Sequence, residues 1–292
     1  MPDGVGTFLK AFELETPEQR AAAQSAAETH QQTTTSSTLS SCQDTQTLDV
    51  ERQRIHHYDD ICQVPENIQK YWWQRHDIWY KYDEDVWMTD DAWFGVTPEP
   101  VAWTIAEQIA NAAPASKTTI IDAFAGAGGN AIAFARSNRW DRIFAFEKDP
   151  DVLKCAKHNA EVYGVAKKIW WVEGDCFETL KNRFPSFDER TVVFASPPWG
   201  GPSYRGDNVF DLKTMQPYNL NKLYRSFARI SNEMVLYLPR TSDLNQLAKY
   251  VPEDQRIQVA HYCMWGASKA LCAFYGDFGP LPPARADYSN DT

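Results

Sequence analysis

From Thr118 to Tyr275 the chain alternates short apolar runs with helical segments, and this alternation restricts the fold more than any other feature. Strands are expected at Thr119–Phe124, Arg142–Glu147, Ile169–Glu173, Val192–Ala195 and Met234–Leu238. Helices are expected near Asn130–Ser137, Pro150–Tyr163, Cys176–Arg183 and Asn221–Ile230. The strand runs are near-continuously apolar, which suits burial on both faces, and helices between them can cross over only if the strands run parallel. The pattern predicts an α/β doubly wound, mostly parallel sheet. A short helix, Leu244–Tyr250, is followed by Gln258–Met264 and Leu271–Tyr275, spaced as a hairpin around Trp265, Gly266 and Ala267.

The rest of the chain organises around that core. Residues 1–50 hold seven acids and two bases, a charge of −5, out of −10 for the whole chain, and Gln31–Ser41 is a run of Gln, Thr and Ser with one Leu. Such a segment buries too little apolar surface to offset its ordering entropy, so residues 1–50 read as a disordered acidic tail with one helix at Glu18–Thr29. Residues 51–100 form an aromatic-rich extension, in which Pro65–Trp79 has the spacing of an amphipathic helix. Residues 101–280 form the α/β domain and 281–292 a flexible end. No apolar run approaches the roughly 20 residues of a membrane span, and no signal peptide is evident. The six cysteines are scattered without a C-x-x-C pair, which argues against a zinc site or a disulfide framework. The folded part carries only −5, too acidic for a broad duplex-gripping surface but compatible with a short nucleic-acid end.

Ligands of open α/β sheets bind at the carboxyl ends of the strands, and there the sequence places its chemistry. Asp122 to Asn130 follows the first strand, with Gly126, Gly128 and Gly129 permitting a tight turn and close backbone approach. Glu147 ends the second strand at the spacing where a carboxylate accepts ribose hydroxyls. Gly174 and Asp175 end the third strand, where an acid can accept from an adenine amine. Three acids at successive strand ends, one facing an amino group, fit S-adenosylmethionine. Phe124, Gly128, Asn130 and Ser196 are expected around the same cofactor. After the fourth strand comes Ser196-Pro-Pro-Trp199, followed by Gly200, Gly201 and Pro202. Two prolines cannot continue a central strand, so this is a rigid turn presenting an indole. Such a turn can hold a flat base on Trp199 while Pro197 and Ser196 accept from its exocyclic amine. Orientation and proximity then supply the catalysis.

The order of Lys70 to Arg75, Trp93 to Glu99, Asp122 to Asn130, Asn159 to Gly164, Ser196 to Pro202, Leu238 to Arg240 and Ala273 to Asp277 resembles the trimethylguanosine synthase family of RNA cap methyltransferases. The resemblance covers roughly Lys70 to Asp277. It implies a class I (Rossmann-like) methyltransferase fold and two successive N2 methylations of 7-methylguanosine caps on small nuclear and nucleolar RNAs. It further implies Trp199 as cap stacker, Asn159 and Tyr204 at the base or cap phosphates, Lys70 and Arg240 at the triphosphate, and Phe94 and Thr97 over the methyl donor. A nuclear, monomeric enzyme, with the tail as a possible partner-binding segment, is the corresponding expectation. Methylation of an internal guanine N2 or adenine N6, or cap binding without catalysis, are the alternatives the residues leave open.

Overall fold

The computed structural model describes residues 8–12, 54–183, 188–201, 208–253, 255–264 and 266–282. The strands are β1 (Phe8–Phe12), β2 (Ile55–His56), β3 (Met88–Thr89), β4 (Thr119–Asp122), β5 (Arg142–Glu147), β6 (Ile169–Glu173), β7 (Thr191–Ala195), β8 (Met234–Pro239), β9 (Gln258–Met264) and β10 (Ala267–Tyr275). The helices are α1 (Gln69–Trp72), α2 (Arg75–Ile78), α3 (Ala92–Gly95), α4 (Glu99–Ala112), α5 (Gly129–Arg136), α6 (Pro150–Val162), α7 (Cys176–Arg183), α8 (Leu220–Phe227) and α9 (Leu244–Ala248).

One eight-stranded sheet runs in the order β1-β9-β10-β8-β7-β4-β5-β6, and β2 pairs with β3 in a separate two-stranded ribbon. Strands β4 to β8 are parallel, and β10 is antiparallel to both β8 and β9. The chain winds outward through β5 and β6 and returns to set β7 beside β4. The loops after β4 and β7 therefore leave the sheet in opposite directions, which opens a crevice at their carboxyl ends. β4 and β7 are buried along their whole length, as parallel strands covered on both faces must be. Within the acidic amino-terminal tail, Phe8–Phe12 pairs in parallel with Gln258–Tyr262 as an edge strand. The helix expected at Glu18–Thr29 lies outside the described residues.

Three features depart from the sequence expectation. The helix expected over Pro65–Trp79 is broken into a 3-10 turn at Glu66–Ile68, then α1 and α2. Ile68, Trp72, Ile78 and Trp79 are buried on both sides of the break while Trp73 is exposed, and the Trp72 indole donates to the Tyr58 carbonyl at 3.0 Å. Helix α4 is not among the expected elements. Pro98 is its N-cap and Pro100 lies in its first turn, where no intrahelical donor is lost. The hairpin is tighter than expected, with β9 ending at Met264 and β10 beginning at Ala267.

The extension shares its core with the sheet. Trp72, Trp79, Tyr82 and Trp93 lie in the same hydrophobic cluster as Ile105, Ile120, Phe134 and Phe194.

Candidate active site

The loop after β4 is shaped by its glycines. Gly126 and Gly128 have φ of +53° and +99°, and a Cβ on Gly128 would lie 3.4 Å from the backbone and side chain of Ala156. The positive φ at both positions is what favours glycine, and at Gly128 α6 also stands within contact distance. The turn delivers the free amides at the start of α5 to the carboxyl edge of the sheet.

Asp122, the last residue of β4, is wholly buried. Its Oδ1 accepts a long hydrogen bond from the Phe124 amide at 3.3 Å, and its Oδ2 has no partner. Burial pushes its carboxyl from the ordinary 3.8 up to about 7; the Phe124 amide opposes this and the Glu147 charge adds to it. A buried carboxylate with an unused oxygen is a costly arrangement, and a cationic or hydroxyl ligand group would relieve it. Asn130 carries a second unused acceptor. Its Nδ2 donates to Thr97 Oγ1 at 3.0 Å while its buried Oδ1 has no partner.

Glu147 spans the glycine loop and the start of α6. It accepts from the Gly126 amide at 3.0 Å through Oε2 and from the Asp149 amide at 2.9 Å through Oε1. An ionised carboxylate has about four acceptor sites, so both oxygens keep capacity for hydroxyls. Asp175 caps α7 by accepting from Phe177 and Glu178 amides at 2.9 and 3.2 Å, and its Oδ2 faces the Tyr218 hydroxyl at 3.4 Å. Phe124, Phe177 and Tyr218 pack against one another beside it, at centroid distances of 4.8 to 6.0 Å. Phe177 and Tyr218 are additions to the site that sequence reasoning missed. Tyr218 lies in an irregular stretch with no periodicity to place it; Phe177 reads as an ordinary helical residue.

The turn after β7 is stitched to this loop. The Ser196 hydroxyl donates to the Phe124 carbonyl at 3.3 Å, which leaves its lone pairs free to accept. Pro197 is buried and Pro198 exposed. Trp199 is half-buried; its indole N–H donates to the Tyr237 carbonyl at 3.3 Å and its ring lies 5.5 Å from that of Tyr237. The indole edge is thereby anchored to β8. On the extension, exposed Lys70 places its ammonium 4.9 Å from the Tyr71 ring, and Phe94 meets Tyr71 edge-on at 5.4 Å. Arg240 is exposed at the end of β8. Tyr204 lies outside the described residues.

Asn159 corrects the sequence expectation. It is fully buried and its amide is committed: Oδ1 accepts from the Trp87 amide at 2.8 Å, and Nδ2 donates to the carbonyls of Trp87 and Ala127, both at 3.0 Å. It has no surface to offer a base or phosphate. It ties the aromatic extension to the glycine loop instead. A second tie runs through Glu99, which pairs with Arg136 at 2.5 Å, accepts from the Tyr80 amide at 2.9 Å and accepts from the Tyr163 hydroxyl.

A doubly wound sheet with a terminal antiparallel hairpin, a glycine turn backed by a buried acid and a second acid at the next strand end define a class I methyltransferase. A solved structure from Porphyromonas gingivalis W83 described as a methyltransferase shares the fold at a TM-score of 0.52 and 14% identity, covering 76% of this chain and 53% of that one. Residues 117–278 match the model of the RNA cap guanine-N2 methyltransferases. The trimethylguanosine synthase of Schizosaccharomyces pombe is 36% identical over 219 residues, 75% of this chain and 90% of that protein. The trimethylguanosine synthase of Saccharomyces cerevisiae is 34% identical over 214 residues, 68% of this chain and 67% of its own. The chain belongs to the RNA cap guanine-N2 methyltransferase family.

Proposed function

We propose that the chain transfers a methyl group from S-adenosylmethionine to the exocyclic N2 of a 7-methylguanosine RNA cap. The observation that carries this reading is the hydrogen bond from Ser196 to Phe124, which fixes the base-presenting turn against the loop that begins at the unsatisfied Asp122 carboxylate. Donor loop and acceptor turn thus face one crevice.

The residues fit the cofactor. Asp122 and Asn130 offer buried acceptors without partners, and Glu147 keeps capacity for the ribose hydroxyls. When bound, the cofactor supplies an electrophilic sulfonium methyl. The protein's part is orientation. Trp199, anchored by its N–H, offers a π face to the cationic base, worth about 0.5–2 kcal/mol beyond ordinary stacking. The Pro197 carbonyl and the Ser196 hydroxyl oxygen accept the amine hydrogens, which turns the nitrogen lone pair toward the methyl. Alignment supplies the rate. No strong base is required, because the amine proton becomes acidic once its nitrogen is methylated. Phe94, Thr97 and the aromatic segment of residues 65–80 cover the crevice, and Lys70 and Arg240 neutralise the cap triphosphate. The relatives' name, trimethylguanosine synthase, supports two successive transfers. We assign the substrates to small nuclear and nucleolar RNAs, the enzyme to the nucleus as a monomer, and the acidic tail to recruitment of partners.

The test is methyl transfer to capped RNA with free 7-methylguanosine triphosphate as competitor, in wild type and Trp199→Ala. Cap methylation is competed away in the wild type and lost in the variant, while the variant's cofactor binding and melting remain. Transfer that ignores the competitor, or full activity in Trp199→Ala, would refute the cap reading.

A further inference from the structure

Glu147 and Glu173 pair in register across β5 and β6, and Asp175 stands two residues beyond that pair. One strand spacing across and two residues along set Glu147 and Asp175 about 8 Å apart, comparable to the span from a ribose hydroxyl to the amine of the attached adenine. Asp175 Oδ1 is spent on the Phe177 and Glu178 amides. Its Oδ2 accepts the long 3.4 Å bond from the Tyr218 hydroxyl and keeps capacity for a second donor.

Tyr218 is held at this corner from several sides. Its ring centroid lies 4.8 Å from that of Phe177 and 5.7 Å from that of Phe124. Lys222, four residues on in the first turn of α8, brings its ammonium to 4.7 Å from the Tyr218 centroid and 4.6 Å from the Phe177 centroid. The stretch that carries Tyr218 is pinned along its length. The Phe210 amide donates to the Thr241 carbonyl at 2.7 Å, and the Leu220 amide donates to the Leu212 carbonyl at 3.0 Å. Asn219 caps α8 by accepting from the Lys222 amide at 2.9 Å. The same stretch borders the base-presenting turn: a Cβ on Gly200, next to Trp199, would lie 3.6 Å from the Gln216 carbonyl oxygen. It therefore runs from the Trp199 turn to the Asp175 corner. Burial, and then the Asp175 charge, raise the pKa of the Tyr218 hydroxyl, which keeps it a neutral donor.

We propose that Tyr218 forms the aromatic wall against which the adenine of the methyl donor lies, with its amine on Asp175, and that Lys222 is the positioning residue that holds this wall to Phe177. The inference rests on the cofactor reading above. An ammonium over two rings at once attracts both and keeps them together. A ring fixed in this way loses little freedom when a flat base settles on it, so the stacking energy is kept as affinity.

The experiment measures Kd by calorimetry for three ligands: S-adenosylhomocysteine, methylthioadenosine, which keeps the adenosyl group without the amino acid, and 7-methylguanosine triphosphate. The proteins are wild type, Tyr218→Ala, Tyr218→Phe, Lys222→Met and Lys222→Arg. Tyr218→Ala weakens both adenosyl ligands about tenfold, the loss of one base–aromatic stack, while the cap nucleotide keeps its affinity. Tyr218→Phe, which keeps the ring, binds like the wild type. Lys222→Met, which keeps the stem without the charge, weakens both adenosyl ligands about two- to fivefold, and Lys222→Arg restores them. Wild-type adenosyl affinity in Tyr218→Ala, a loss for S-adenosylhomocysteine that methylthioadenosine does not share, or an equal loss for the cap nucleotide overturns the inference. If Tyr218→Ala does not fold, the two Lys222 variants decide it by the same criteria. Failure of the wild type to bind either adenosyl ligand refutes the cofactor reading, and this inference with it.

Discussion

Replacing Asp122 by Asn should stabilise the cofactor-free protein while abolishing its activity. The carboxyl is fully buried, and its pKa rises from 3.8 to about 7, mainly through burial. A group raised in this way keeps its proton in the native state at pH values where the unfolded chain has released it. The native state therefore loses stability as pH climbs from about 4 to about 7, and the loss is complete above that. Three pKa units correspond to roughly 4 kcal/mol, of which about 3 kcal/mol falls between pH 5 and pH 8. The amide cannot ionise, so it escapes this cost. It keeps the acceptor that faces the Phe124 amide but buries new N–H donors, at about 1–3 kcal/mol. Urea unfolding of both proteins across this range, without cofactor, gives the difference directly. The variant's relative stability should rise by about 3 kcal/mol from pH 5 to pH 8 and level off beyond, while calorimetric titration shows its S-adenosylmethionine binding lost. A difference that does not change with pH would refute the assignment of a strained, ionisable Asp122.

Asn159→Ala leaves the Trp87 amide and the Trp87 and Ala127 carbonyls without their partner. It should cost about 2–4 kcal/mol and lower the melting temperature by about 5–12 °C, with weaker cofactor binding because Ala127 lies in the glycine loop; a wild-type melt contradicts its framing role. Gly128→Ala forces a side chain into φ +99° against Ala156 and should cost about 1–3 kcal/mol, whereas Gly95→Ala, which meets open space, should melt like the wild type.

The parallel sheet was legible because its strands are short, apolar and separated by periodic helices; β5, β6 and β9 begin and end where the sequence places them. The acids at strand ends were legible because strand ends are marked by the glycines and prolines that follow. The path of the extension was not, because the break between α1 and α2 and the burial of Trp93 depend on tertiary packing that helical spacing does not encode. Asn159 illustrates the same limit within the site. An asparagine on a helix reads equally as a ligand contact or a scaffold bond, and only the position of Trp87, 72 residues away, decides between them.

The ties made by Asn159 and Glu99 bear on where this enzyme can be cut. The family match begins at residue 117, and a piece trimmed to that boundary would look like a complete catalytic unit. It would lack Trp87 and Glu99, leaving the Asn159 amide without two of its partners and the Arg136 and Tyr163 side chains without their carboxylate. It would also expose the apolar face that Trp72, Trp79 and Trp93 cover. For expression, transplantation or ancestral reconstruction, the smallest heritable module therefore starts near Arg54, whose guanidinium grips Asp149 and Asp151 at the head of α6.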